Sequence, residues 1–183
     1  MKAILMSIRP EWCAKIESGV KTIEVRKTRP KIETPFKCYI YCTFPQKPVY
    51  DIWINRGTEN RFLGNGKVIG EFVCDSIEEF QIKGALGVRF KRFTALYETC
   101  LKVKEMRDYA GNSPILYGWH ISELKIYDQP KELSEFKKAG IMTEEQWLYA
   151  LYPNTHCHYA AWAKKFEITR PPQSWAYVEE LEE

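Results

Sequence analysis

Between Pro10 and Arg26 the hydrophobic period of the chain switches from that of a helix to that of a strand within a few residues. Pro10 suits the first turn of a helix, where its missing N–H costs nothing. Trp12, Cys13, Ile16 and Val20 then recur at helical spacing and Gly19 offers a stop, which predicts a helix over about Pro10–Ser18. Thr22-Ile23-Glu24-Val25-Arg26 alternates polar and apolar residues, the period of a half-buried strand. Ile23 and Val25 are expected on the core face. Glu24 and Arg26 then project together from the other, ~7 Å apart at Cβ by the strand rise.

The rest of the chain reads mainly as strands. Ala3–Met6 is a short apolar strand, and Cys38–Phe44 alternates with Cys38, Ile40 and Cys42 on one side. Thr28–Pro35 contains two prolines and reads as a loop. Gly64-Asn65-Gly66 marks a turn into a strand over Lys67–Asp75, where Gly70 suggests a bulge. A helix is expected within Thr94–Ala110, ended by Gly111. Over Ile115–Tyr127 the apolar phase slips near Ser122-Glu123, as a β-bulge would cause. Thr143-Glu144-Glu145-Gln146 has the form of a capping box, and Trp175–Glu179 follows the Arg170-Pro171-Pro172-Gln173 segment.

At 183 residues the chain suits one domain, 1–183, with insertions expected around 83–93 and 129–165. No run approaches the ~18 apolar residues of a membrane-spanning helix, and the N-terminal apolar run is too short for a signal-peptide core. A cytoplasmic location with no membrane partner is therefore expected. The six cysteines are widely spaced with no C-x-x-C pair, and read as buried thiols.

A net charge of +3 does not by itself mark a nucleic-acid binder. Its distribution is more informative. Residues 20–31 carry Lys21, Arg26, Lys27, Arg29 and Lys31 against Glu24 alone, and residues 83–92 add four cations with no acid. These patches permit an anionic partner, or are solvated faces.

A helix end delivering Lys21 beside the Glu24/Arg26 face would set two cations around one carboxylate. Such a trio could bind a phosphate, orient a base edge, assist acid–base chemistry, or be only an ion pair. Trp119 is expected in the core with the apolar side of its strand, Tyr117 is open to either role, and His120 points the opposite way, toward a possible cleft. Arg170 sits on an extended segment before a diproline. A metal site is not expected. His156, Cys157 and His158 are adjacent rather than paired from two segments, and Cys38 and Cys42 lie ~13 Å apart along a strand. No phosphate loop, nucleophile elbow or zinc-protease motif is present, and no cofactor is implied.

Gly19-x-Lys21-x-x-Glu24-x-Arg26 resembles the G-x-K-x-x-E-x-R pattern of the ASCH domain family. Ser7-Ile8-Arg9-Pro10, Lys67-Val68-Ile69-Gly70-Glu71-Phe72, Tyr117-Gly118-Trp119-His120-Ile121 and Arg170-Pro171-Pro172-Gln173-Ser174-Trp175 are similar to other segments of that family, the last to a phage-like and bacterial branch. The pieces span residues 1–127 and 166–183. The resemblance implies an α+β fold, a PUA-like mixed β-barrel with flanking helices, and a charged cleft for RNA or a modified nucleotide. Arg9, Lys21, Glu24, Arg26, His120 and Arg170 are its candidate ligand-binding residues, with a role in RNA metabolism or regulation. One branch resembles an amidohydrolase of N4-acetylcytidine; its nucleophilic Thr falls where this chain has Glu24, which speaks against that covalent route. A hydrolase acting on RNA or a modified nucleoside, with Lys21 and Glu24 as catalytic residues, stands as one alternative. A protein-interaction module with structural ion pairs only stands as another.

Overall fold

The chain opens with strand β1 (Lys2–Ile8), passes through helix α1 (Pro10–Glu17) and enters β2 (Ile23–Arg26), as the switch of period predicts. This computed structural model describes residues 1–44, 53–55, 61–83, 87–139 and 166–181. Strands β3 (Phe36–Cys42), β4 (Trp53–Asn55), β5 (Arg61–Leu63), β6 (Val68–Cys74), β7 (Ile77–Ile82) and β8 (Val88–Arg89) follow. Two short helices, α2 (Ala95–Thr99) and α3 (Val103–Ala110), precede β9 (Ile115–His120), β10 (Ser122–Lys131) and β11 (Trp175–Glu179). The expected capping-box helix at Thr143 and the His156-Cys157-His158 cluster lie outside the described residues.

The architecture is α+β and mostly strand. A five-stranded sheet runs β10-β6-β3-β1-β11, a four-stranded sheet runs β2-β9-β7-β8, and β4-β5 pair as a hairpin. The larger sheet is mixed, because β1 and β3 are parallel while their other pairings are antiparallel. Hydrogen bonding among the described strands gives these separate sheets rather than one closed ladder.

Alternation along the strands sorts side chains into layers. Ile4, Met6 and Ile8 of β1, with Cys38, Ile40 and Cys42 of β3, face a central core that also receives Cys13 and Ile16 of α1 and Trp119 of β9. Ala3, Leu5, Tyr39 and Tyr41 face the opposite side and pack under Phe136, Ile168 and Val178. Ile23, Val25, Phe80 and Leu116 form the outer face of the smaller sheet against Ala95, Met106 and Ala110 of the two helices. Both faces of both sheets are therefore covered over much of their area, and polar side chains on the inner face are buried with the core.

Two local irregularities match the sequence, and a third departs from it. Ile40 pairs with Gly70 and Tyr41 with Val68, so β6 carries one extra residue beside Gly70. A Cβ at Gly70 would stand 2.5 Å from the Lys125 carbonyl oxygen, which explains a residue without one. At Ser122-Glu123 the phase slip marks where the chain leaves the smaller sheet for the larger. Glu123 takes φ 48 there, and Ser122 Oγ donates to Val73 O at 2.8 Å. The segment expected as one helix near 94–110 is broken at Cys100, whose φ of 57 ends α2, and Gly111 at φ 59 ends α3.

Candidate functional site

The central feature is a buried ionic trio on the inner face of β2. Gly19 makes it possible. At φ 73 it turns the end of α1 back on itself, with Gly19 N–H donating to Ile16 O and Lys21 N–H to Lys15 O, both at 2.9 Å. Lys21 is thereby aimed along β2 rather than out to solvent. Glu24 and Arg26 follow from the strand itself, sharing one face as the alternation requires. That face is not a solvent face: Lys21, Glu24 and Arg26 are 2%, 6% and 7% exposed.

Each cation reaches one carboxylate oxygen. Lys21 Nζ lies 3.2 Å from Glu24 Oε2, and Arg26 Nη2 lies 3.1 Å from Glu24 Oε1. Lys21 Nζ also donates to Ile23 O and Thr99 O, both at 2.7 Å. Those three acceptors match the three protons of an ammonium group. The half-buried Trp12 ring adds a cation–π contact, its centroid 5.3 Å from the same nitrogen. Arg26 Nη2 donates to Ser7 O at 2.7 Å, a bond that ties the smaller sheet to β1 of the larger.

The thiol of Cys13 belongs to these surroundings. Burial pushes it well up, a hydrogen bond with Cys42 and the charge of Glu24 act in the same direction, and Arg26 opposes them. These surroundings favour the neutral thiol over the thiolate.

Aromatic and cationic groups flank this site. Trp119 is fully buried, as its alternation predicts, and meets the Phe36 ring edge-on at 5.6 Å. Trp175 lies 5.7 Å from Trp119 and 5.4 Å from Tyr177. The loop after β2 is tied to these rings, with Trp175 Nε1 donating to Thr28 Oγ1 at 3.0 Å and Lys31 N–H to Tyr177 Oη at 2.7 Å. The Arg29 guanidinium sits 5.9 Å from the Tyr117 ring centroid, and Lys2 Nζ 5.2 Å from that of Tyr177. Lys27, Arg29 and Lys31 are exposed.

Not every predicted site residue joins the trio. Arg9 and Arg170 are exposed and make no side-chain hydrogen bond or ion pair with it. Both belong to segments that Ser7 links to the trio, since Ser7 O accepts from Arg26 Nη2. Arg9 follows Ser7 by two residues, and Ser7 holds the segment after Arg170 through Ser7 Oγ to Pro172 O (2.6 Å) and Ser7 N–H to Ser174 O (3.0 Å).

His120 lies elsewhere. It stands opposite Ile23 in the β2–β9 register, so it shares the outer face of the smaller sheet. There Arg92 Nη2 approaches His120 Nε2 at 2.9 Å and also bonds Glu98, while Arg92 Nε donates to Glu78 at 2.7 Å. The hydrogen bonds to Glu98 and Glu78 raise the already high basicity of Arg92. This second cluster gathers positions 78, 92, 98 and 120, and no local pattern announces it. Ser7 and Thr99 also escaped sequence reasoning, because they act through backbone carbonyls that every residue has. Among the described residues no group of three or more His, Cys, Asp or Glu side chains is placed to hold a metal ion.

The sequence matches no protein-family model, and no curated protein matches it. Solved structures do. An ASCH protein from Zymomonas mobilis is similar at 18% identity with a TM-score of 0.54, covering 97% of this chain and 88% of that one. A Tyr-to-Phe mutant of it matches at 17% identity and TM-score 0.54, covering 98% and 92%. A Ser-to-Ala mutant matches at 18% and 0.55, covering 97% and 89%. This likeness shows a shared fold over nearly the whole length of both chains.

Proposed function

We propose that this ASCH-like chain binds RNA or a modified nucleotide beside the Lys21–Glu24–Arg26 trio, in a role in RNA metabolism or regulation. The observation that carries the reading is the band of exposed cations joined to aromatic rings next to the trio. Lys27, Arg29 and Lys31 lie on one loop, and that loop is fastened to Trp175 and Tyr177 while the Arg29 guanidinium makes a cation–π contact with Tyr117. Exposed cations suit phosphates, and half-buried rings suit stacked bases, each worth ~1–3 kcal/mol.

The buried trio has a different job from the loop. Its cations are committed to Glu24 and to backbone carbonyls, so phosphate attraction falls to the loop. Lys21 in particular has an acceptor for each of its protons, which favours a structural and orienting role over a catalytic one.

Titration of fluorescent single-stranded RNA across ~50–200 mM salt tests the reading. Binding should weaken linearly in log–log form, and Arg29→Ala or Lys31→Ala should each lower the slope by about one. RNA binding that is absent, or indifferent to salt, would sink it.

A further inference from the structure

The cluster on the outer face of the smaller sheet sets three carboxylates, Asp75, Glu78 and Glu98, around one permanent cation, Arg92, and one histidine. His120 is reachable from solvent, its side chain 27% exposed. Its Nδ1 lies 3.7 Å from Asp75 Oδ1, and its Nε2 lies 3.7 Å from Glu78 Oε1 and 3.9 Å from Glu98 Oε2. Strand β2 meets it in the ladder with apolar Ile23.

The shortest of its contacts is with the other cation: Arg92 Nη2 is 2.9 Å from His120 Nε2. A guanidinium only donates, so this bond requires a neutral imidazole with its lone pair on Nε2 and its proton on Nδ1, toward Asp75. Arg92 also donates from Nε to Glu78 Oε1 at 2.7 Å, and from Nη1 and Nη2 to the two oxygens of Glu98 at 3.3 and 2.9 Å. In this state one side chain ties β7, β9 and α2 together.

A proton on Nε2 reverses the contact. Both ring nitrogens then donate, and two cationic donors would face each other at 2.9 Å. The acceptors next to Nε2 are Glu78 Oε1 and Glu98 Oε2, the same oxygens that hold Arg92. Glu78 Oε2 has no partner among the described residues, so that carboxylate has capacity for a second donor. Histidine is the side chain whose charge ordinarily changes between about pH 5 and 8.

We propose that Arg92 and His120 form a proton-operated latch in which the two side chains exchange places on Glu78 and Glu98. With the imidazole neutral, the guanidinium clasps β7 to α2. With Nε2 protonated, the imidazolium pairs with the two glutamates and Arg92 moves out to solvent beside exposed Lys91 and Phe93. One cation or the other binds Glu98 throughout, so α2 stays anchored. Its last turn therefore keeps Glu98 O on Thr22 N–H and Thr99 O on Lys21 Nζ. What acid releases is the basic segment before the helix, not the trio.

NMR titration of the full chain from pH 8 to 5 tests the latch by following the His120 ring and the Arg92 Nε–H together. The two should titrate with one midpoint. Exchange of the Arg92 Nε–H with solvent, measured against that of exposed Arg107, should rise about tenfold or more, as loss of a charge-assisted hydrogen bond implies. His120→Gln supplies a neutral acceptor that does not titrate, and there the Arg92 signal should hold still across the range. Where that variant folds poorly, the unaltered chain answers alone. A stationary Arg92 signal while His120 titrates overturns the latch, as does a His120 ring that keeps one charge state from pH 8 to 5. An equal Arg92 shift in His120→Gln also overturns it, because the carboxylates would then be the groups that release the arginine.

Discussion

Lys21 Nζ lies 3.2 Å from Glu24 Oε2 with both side chains buried, and the lysine gives its other two protons to the carbonyls of Ile23 and Thr99. One ammonium group thus joins the end of α1, strand β2 and the end of α2. Charge and backbone satisfaction are held in the same atom, and removing it leaves a buried carboxylate and two buried carbonyls short of a donor.

Lys21→Met should therefore destabilise the fold by about 3–5 kcal/mol, the usual cost of leaving half of a buried pair. Adding Glu24→Gln should recover part of the loss, since the stranded charge goes with it. Urea unfolding of the two single variants and the double variant measures the coupling. A Lys21→Met loss below about 1 kcal/mol would mean that the pair behaves as an exposed one.

His120→Ala should leave RNA affinity and its salt slope unchanged. The residue stands on the outer face with Arg92, Glu78 and Glu98, across the sheet from the trio. A marked loss of affinity, with the melting temperature preserved, would place RNA on that outer face instead.

Gly70→Ala should cost about 1–3 kcal/mol, as overpacking of a filled site does. The new Cβ would stand 2.5 Å from the Lys125 carbonyl oxygen, a backbone atom that cannot rotate away. Thermal melts report it. An unchanged melting temperature would show that β10 can yield at the bulge.

Stability should fall on the alkaline side. Burial raises the thiols of Cys13, Cys38 and Cys74, the last to about 12, against roughly 8.5 in an unfolded chain. The folded state holds these protons more tightly, so its advantage is complete below about pH 8.5 and is lost as pH climbs toward the folded values, by about 1.4 kcal/mol per unit per thiol. Buried Tyr39 and Tyr41 and half-buried Tyr127 are raised too and steepen the loss above about pH 10. Urea unfolding from pH 8 to 11 checks this, and Cys74→Ala should flatten the slope. In a Cys157→Ser background, Cys100 should react with a thiol reagent well before the four buried thiols, Cys13, Cys38, Cys42 and Cys74. Fast labelling of all five would show that the core opens readily.

The local order of the chain was readable from its residues. Pro10 and Gly19 bound a helix, and alternation over Ile23–Arg26 assigned Glu24 and Arg26 to one side. The phase slip at Ser122-Glu123 located the crossing between sheets, and Gly70 located the bulge. These are properties of neighbouring residues and of the backbone geometry they permit, so they need no knowledge of the rest of the fold. The resemblance to ASCH segments likewise rests on short runs of neighbouring residues, and the solved ASCH structures share the fold.

Alternation separates two sides of a strand, but it cannot say what lies across from either. The side carrying Glu24 and Arg26 read as the likelier surface, yet the larger sheet packs over it and makes it interior. The acceptors that complete the trio are carbonyls of Ser7, Ile23 and Thr99, and a carbonyl has no signature in sequence. His120 was assigned to the correct side of its strand; only the register of β2 on β9 and the arrival of Arg92, Glu78 and Glu98 showed that this side is not the trio's. Short-range pattern specified the elements and the faces of their side chains. Packing of one sheet upon the other decided which charges are buried and which donors remain unpaired.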